Sequence, residues 1–264
     1  LTGEKCSPWV IRTSFSNNQV NGVMGPWLYA QGYRTLYLMA ADYAAGRQMM
    51  DAVRRGFIGA GGEIVGEEYP PLRETKDFAP YLAKVKATHP DALYVFFAGG
   101  LAIQFVKQYH AFGLKGEIPL TGAGWLTSPL FLPAQGAAAV GFTGALNYVP
   151  SIDSDENKSF QAAFSEKHQR TASEFTVQGF DTGRLIVEAL KVTGGETDDK
   201  SALVDAIHGV RFTGPRGPFR IDPATNNVIQ DIYIFQMRQV GYNIRHVVID
   251  KIENVQDPPN GCKM

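Results

Sequence analysis

The sequence predicts an α/β protein built on a parallel sheet with helices over both faces. Three observations carry this reading. Short apolar runs recur through the middle of the chain, each is followed by a segment of helical spacing, and small residues fill the turns where strand passes into helix. Strands that are apolar throughout, rather than alternating, are those buried on both faces of a parallel sheet.

Taken in order, residues 35–42 (TLYLMAAD) are a continuous apolar strand. Residues 46–58 follow as a helix with Met49, Met50, Val53 and Phe57 on its apolar face, and Gly59, Gly61 and Gly62 stop it. Residues 63–70 (EIVGEEYP) form the next strand. Residues 77–90 form a helix with Phe78, Leu82 and Val85 on one face and Pro90 at its end. A buried strand over 91–100, a helix over 101–113 and a strand over 117–124 complete one lobe, roughly residues 16–145, whose crossovers are expected to be right-handed.

Beyond a polar connector over 147–160, helices are predicted over 157–169 and 175–193. Val177, Phe180, Leu185, Ile186 and Leu190 supply the apolar face of the second, and Gly194-Gly195 closes it. A short helix over 201–210 precedes β-hairpins over 217–250, with turns at 222–227 and 241–243. This region has too few parallel strands to fill a sheet and reads as the back half of a lobe whose front half is absent.

Composition narrows the function classes. Apolar residues make up 44% and charged residues 19% of 264, enough to pack a core. Lys+Arg 25 against Asp+Glu 26 leaves a net charge of -1, without the basic excess of a nucleic-acid binder. No apolar run approaches the roughly 18 residues that span a bilayer. The start, Leu1-Thr2-Gly3-Glu4-Lys5, has no Met, is no signal peptide and enters mid-pattern, which reads as a processed or truncated chain. Cys6 and Cys262 lie in turn-rich segments near opposite ends, as two unrelated thiols or as a disulfide that needs an oxidising compartment.

Several chemistries fail on spacing. No glycine-rich phosphate loop follows any strand. The five histidines, His89, His110, His168, His208 and His246, never stand at metal-ligand spacing, so they are read as surface or capping residues and no metal or cofactor is expected. No nucleophile elbow occurs, and no catalytic residue is assigned. What remains is a set of small and aromatic residues where successive strands end: Asp42-Tyr43-Ala44-Ala45-Gly46, Ala98-Gly99-Gly100-Leu101 and Gly122-Ala123-Gly124-Trp125. Ligands of open α/β sheets bind outside the carboxyl ends of the strands, and backbone N–H groups at helix starts favour an anion there. The reading is a binding cleft.

The stretches VIRTSFSNNQV, 36–100 (LYLMAADYAAG through ALYVFFAGG), PLTGAG, QGFDTGRLIVEALKVTGG and GVRFTGPRGPFRIDPATNNVIQDIYIFQ strongly resemble the branched-chain amino-acid-type periplasmic binding proteins. These are the solute receptors of ABC importers. The resemblance covers nearly the whole chain, and residues 74–82 (ETKDFAPYL) resemble the family's characteristic helix start. It implies a type I fold: two Rossmann-like lobes with parallel sheets flanked by helices, joined by three crossovers. These fall at 12–15, at 148–150 and around 239–245. Lobe 1 would comprise 1–14 plus 147–238 and lack its N-terminal half. Lobe 2 would comprise 15–146 plus 239–264.

Carried over by position, the resemblance puts Tyr43, Gly100, Leu101, Gly124 and Trp125 on the ligand from lobe 2, and Phe175, Gln178 and Phe180 from lobe 1. Amino-acid binders carry an acidic residue for the ligand ammonium in the loop after PLTG. This chain has Ala123, Gly124 and Trp125 there, and an unpaired buried ammonium is costly. An aromatic carboxylate is therefore expected in the interlobe cleft rather than leucine. The resemblance further implies a periplasmic or otherwise exported monomer, a Cys6–Cys262 disulfide and a membrane permease as partner, with no nucleic acid and no membrane insertion. The alternative is a ligand-sensing module of the same fold.

Overall fold

The computed structural model describes residues 2–264. In chain order the elements are α1 (Asn17–Gly22), α2 (Met24–Ala30), β1 (Thr35–Ala40), α3 (Ala44–Gly59), β2 (Glu63–Glu68), α4 (Ala79–Thr88), β3 (Ala92–Phe96), α5 (Gly99–Ala111), β4 (Leu120–Ala123), α6 (Leu132–Gln135) and β5 (Thr143–Leu146). Then follow α7 (Asp155–His168), α8 (Glu174–Val192), α9 (Lys200–Gly209), β6 (Arg211–Gly214), β7 (Gly217–Ile221), β8 (Val228–Val240) and β9 (Asn243–Val255). They form two compact units.

The unit made of 20–146 and 233–250 holds the predicted parallel sheet. β2, β1, β3, β4 and β5 lie side by side in that order, all parallel. Residues 233–236 of β8 add an antiparallel strand against β5. Every residue of β3 is buried, as a strand covered on both faces requires. The edge strand β2 instead exposes Glu63 and Glu67, charges that discourage further pairing at a sheet edge. Beneath α4 and α5, Phe78, Phe97 and Phe105 pack ring to ring with centroids 4.7–5.2 Å apart. Each such fully buried ring contributes about 1.5–3 kcal/mol by leaving water.

Among the described residues the other unit comprises 2–19, 147–232 and 251–264. Its strands are antiparallel: β6 pairs β7, and β7 pairs residues 228–230 of β8. Its core gathers Leu185 and Ala189 of α8, Ala206 of α9, and Phe219, Ile221 and Val228 of the strands. Val177, Asp181, Leu185 and Ala189 recur every fourth residue, which is why one face of α8 turns inward. Cys6 and Cys262 are joined in a disulfide, with 5.4 Å between their Cα atoms.

The unit boundaries differ from those read in the sequence. The chain changes unit at 19/20, 146/147, 232/233 and 250/251, rather than at 14/15, 146/147 and 238/239. Residues 239–245 are the tip of the β8–β9 hairpin, with Tyr242 fully exposed, and not a crossing. The last two crossings, 232/233 and 250/251, fall inside two 13-residue strands. A long strand can enter two cores without any turn or composition shift marking where it leaves one for the other.

Candidate functional site

At the carboxyl edge of the parallel sheet, β1, β3 and β4 each deliver one of the turns singled out above. Tyr43 is the extended N-cap residue of α3 and is half-buried. Its ring stacks on Phe96, the last residue of β3, with centroids 6.1 Å apart and planes 28° apart. Phe96 meets Trp125 edge-to-face at 6.3 Å and 85°. Strand order places β3 between β1 and β4, so the three rings follow the sheet edge in that order. Offset and edge-on contacts of this kind add about 0.5–1.5 kcal/mol per pair beyond burial. Burial also pushes the Tyr43 hydroxyl above its ordinary pKa, so it stays a neutral donor.

The helices starting here leave their first N–H groups unclaimed by side-chain caps. Neither Tyr43 at α3 nor Ala98 at α5 provides a capping hydrogen bond. Gly99 has φ +59, a conformation that favours glycine, and Gly100 is exposed with open space where a Cβ would stand. Leu101 is half-buried beside them. Asp42, the acidic side chain of the first turn, is already paired with Arg47 at 2.8 Å. Gly124 packs so tightly that a Cβ would stand 2.5 Å from Leu146 and 2.7 Å from the Ala145 carbonyl. That contact seats the Trp125 turn, Gly124–Thr127, against β5.

In the other unit the predicted residues separate. Phe175 and Phe180 are each 49% exposed, but five positions along a helix put them about 140° apart. Phe180 packs on Phe160 of α7, with centroids 4.9 Å apart. Gln178 shares the flank of Phe175 and of Thr182, whose hydroxyl meets that of Thr13 at 2.7 Å. Phe180 therefore belongs to the α7–α8 packing rather than to the flank of Phe175 and Gln178.

Sequence reasoning missed three residues. Phe96 reads only as the end of a buried strand, although its place at the carboxyl edge was a usable signal. Gln135 sits in a small-residue stretch with no visible pattern. His246, read as a surface or capping residue, is 4% exposed instead. Its Nε2–H donates to the Thr127 carbonyl at 2.8 Å, its ring meets Phe235 edge-on, and burial lowers its pKa to about 4. Among the described residues no cluster of His, Cys, Asp and Glu could hold a metal ion, and no helix is long and apolar enough to cross a membrane.

Phe96 and Trp125 are each 4% exposed, so Tyr43 and the starts of α3 and α5 are the part of this edge that solvent reaches. The chain matches the model of the family described as periplasmic binding protein over residues 1–241, and it belongs to that family, whose members are binding proteins rather than enzymes. It is 32% identical over 232 residues to Leu/Ile/Val-binding protein homolog 6 of Brucella melitensis, covering 86% of this chain and 59% of that relative's length. A solute-binding protein of an ABC transporter from R. palustris, solved in complex with benzoate, is 32% identical with a TM-score of 0.89; the match covers 100% of this chain and 71% of that one. Another from Rhodopseudomonas palustris BisB5, solved with 3,4-dihydroxybenzoic acid, is 35% identical with a TM-score of 0.87, covering 96% and 69%. The fold is that of the type I periplasmic binding proteins.

Proposed function

We propose that this chain is the ligand-binding body of an exported receptor that captures an aromatic carboxylate and delivers it to the permease of an ABC importer. The row Tyr43–Phe96–Trp125 at the sheet edge carries this reading. Flat rings favour a flat ring, and the uncapped N-termini of α3 and α5 favour its carboxylate. An ammonium finds little there, since the Gly122–Trp125 turn has no acidic side chain and Asp42 is engaged by Arg47. Gly100, Leu101 and Gly124 would line the ligand beside these rings. The two relatives that hold benzoate and 3,4-dihydroxybenzoic acid support the ligand class. The Cys6–Cys262 disulfide suits an oxidising compartment such as the periplasm.

The name of the Brucella relative favours a second reading, a branched-chain amino acid. A thermal-shift panel on the full-length protein separates the two. A true ligand stabilises by about 2.7 kcal/mol at a hundred times its dissociation constant. Benzoate, 4-hydroxybenzoate or a cinnamate should raise the midpoint while leucine, isoleucine and valine leave it in place. The opposite pattern sinks the aromatic assignment.

A further inference from the structure

The turn that carries Trp125 has left the sheet: β4 pairs only as far as Ala123, and residues Gly124–Thr127 form a single 3-10 turn. Its carbonyls are taken one after another by other partners. The Ser128 N–H donates to Trp125 O at 3.2 Å, Gln135 Nε2 to Leu126 O at 2.7 Å, and His246 Nε2 to Thr127 O at 2.8 Å. Gln135 ends α6 and His246 lies on β9, and both are buried. Gln135 does more than hold one turn. Its Nε2 also reaches the Ala102 carbonyl in the first turn of α5 at 3.3 Å, so one amide spans the second and third strand-to-helix loops. On the far side, the His246 ring meets Phe235 of β8 with centroids 4.8 Å apart, and Phe235 in turn lies against Gly124.

A buried N–H donor is costly unless it finds an acceptor, so the bonds from Gln135 Nε2 and His246 Nε2 fix geometry sharply. Resting on the aromatic-carboxylate reading, we propose that Gln135 and His246 are positioning residues for ring selectivity: they hold Trp125 at a set distance from the start of α5 without touching the ligand themselves. The open helix start on one side and the indole on the other then gauge the width and substitution of the ring.

The test uses full-length protein, with 4-hydroxybenzoate and benzoate as probes in titration calorimetry. Gln135→Met and His246→Phe keep volume and remove the donors; His246→Gln keeps a donor at the same reach. Hydrogen-bond partners that orient metal ligands cost about tenfold or more in affinity when lost, and the same order is expected for partners that orient an aromatic wall. Each donor-less variant should therefore weaken the better probe about tenfold and bring the two dissociation constants together, while His246→Gln keeps both the affinity and the ratio. A lowered melting midpoint with an unchanged affinity ratio in the donor-less variants overturns the proposal. So does an equal loss in His246→Gln. Should one variant not fold, the remaining two decide. If the wild type binds leucine and no aromatic acid, the ligand class falls, and the positioning claim is read from the same variants with leucine against isoleucine.

Discussion

Arg216 Nε donates to Asp181 Oδ2 at 2.7 Å, and neither side chain has any exposure to solvent. Burial pushes the carboxyl up and the guanidinium down in pKa, and the ion pair opposes both. The remaining guanidinium N–H groups reach Gln230 Oε1 at 2.9 Å and the carbonyls of Thr13 and Ser14 at 2.7 and 3.2 Å. Gln230 Nε2 donates to Ser14 O and to Gln19 Oε1, Asn147 Nδ2 donates to Gln230 Oε1, and Gln19 Nε2 donates to the carbonyls of Val228 and Val255. One polar network thus fastens, within a single unit, its three chain segments near the four points where the chain leaves or re-enters it.

Breaking a buried pair on one side leaves an uncompensated charge, at a cost of about 3–5 kcal/mol. Arg216→Met should lose that much in chemical denaturation. The double variant Arg216→Met, Asp181→Leu should recover part of it, because no lone charge remains. A single substitution that costs less than about 1 kcal/mol would show that the network holds without its ion pair.

The disulfide gives a second prediction. Cys6 and Cys262 lie 256 residues apart, and closing so long a loop contributes about 5 kcal/mol in the chain-entropy model, on unfolded-state grounds. A reductant should lower the melting midpoint, and a Cys6→Ser, Cys262→Ser protein should start from that lower value and ignore the reductant. Equal midpoints in all samples would remove the bridge from the stability account.

The parallel unit was legible because β1 and β3 at its centre are unbroken apolar runs, each followed by a glycine-bearing turn into a helix. What was not legible is short or polar. α1 (NNQVNG) contains no apolar face to detect, α2 (MGPWLYA) carries a proline, and β5 (TGAL) and β6 (RFTG) are four residues long. The site follows the same division. Tyr43 and Trp125 could be found from their place after a strand, whereas Gln135 and His246 act through backbone carbonyls of a distant turn, which no local pattern encodes. The separation of Phe175 from Phe180 was available from helical spacing alone.

His246 makes stability depend on pH in a definite direction. Its folded pKa, about 4, lies below the ordinary 6.5, so between those values the unfolded chain binds the proton and the folded one does not. The contribution is fully present above pH 6.5 and is lost as pH falls toward 4, on the order of 3 kcal/mol in all. Between pH 7 and pH 5 the wild type should lose about 2 kcal/mol more than His246→Phe in urea unfolding. Parallel losses in the two proteins would mean that this imidazole titrates normally.

Two aromatic rings, Tyr43 in one unit and Phe180 in the other, give the last prediction. Tyr43 stacks on Phe96 at the sheet edge, where the aromatic ligand is proposed to lie, while Phe180 packs on Phe160 between α7 and α8. An aromatic pair is worth about 0.5–1.5 kcal/mol beyond burial, which corresponds to about two- to twelvefold in a dissociation constant. Tyr43→Ala should weaken 4-hydroxybenzoate by at least that factor with a small change in melting midpoint, because the ring is only half-buried. Phe180→Ala should do the reverse: it removes a ring from the α7–α8 packing, so stability falls while affinity stays. Calorimetric titration and thermal melting of both variants read the two effects separately. If Phe180→Ala weakens the ligand as much as Tyr43→Ala does, the flank of α8 that bears Phe180 belongs to the binding surface and the division between the two rings is wrong.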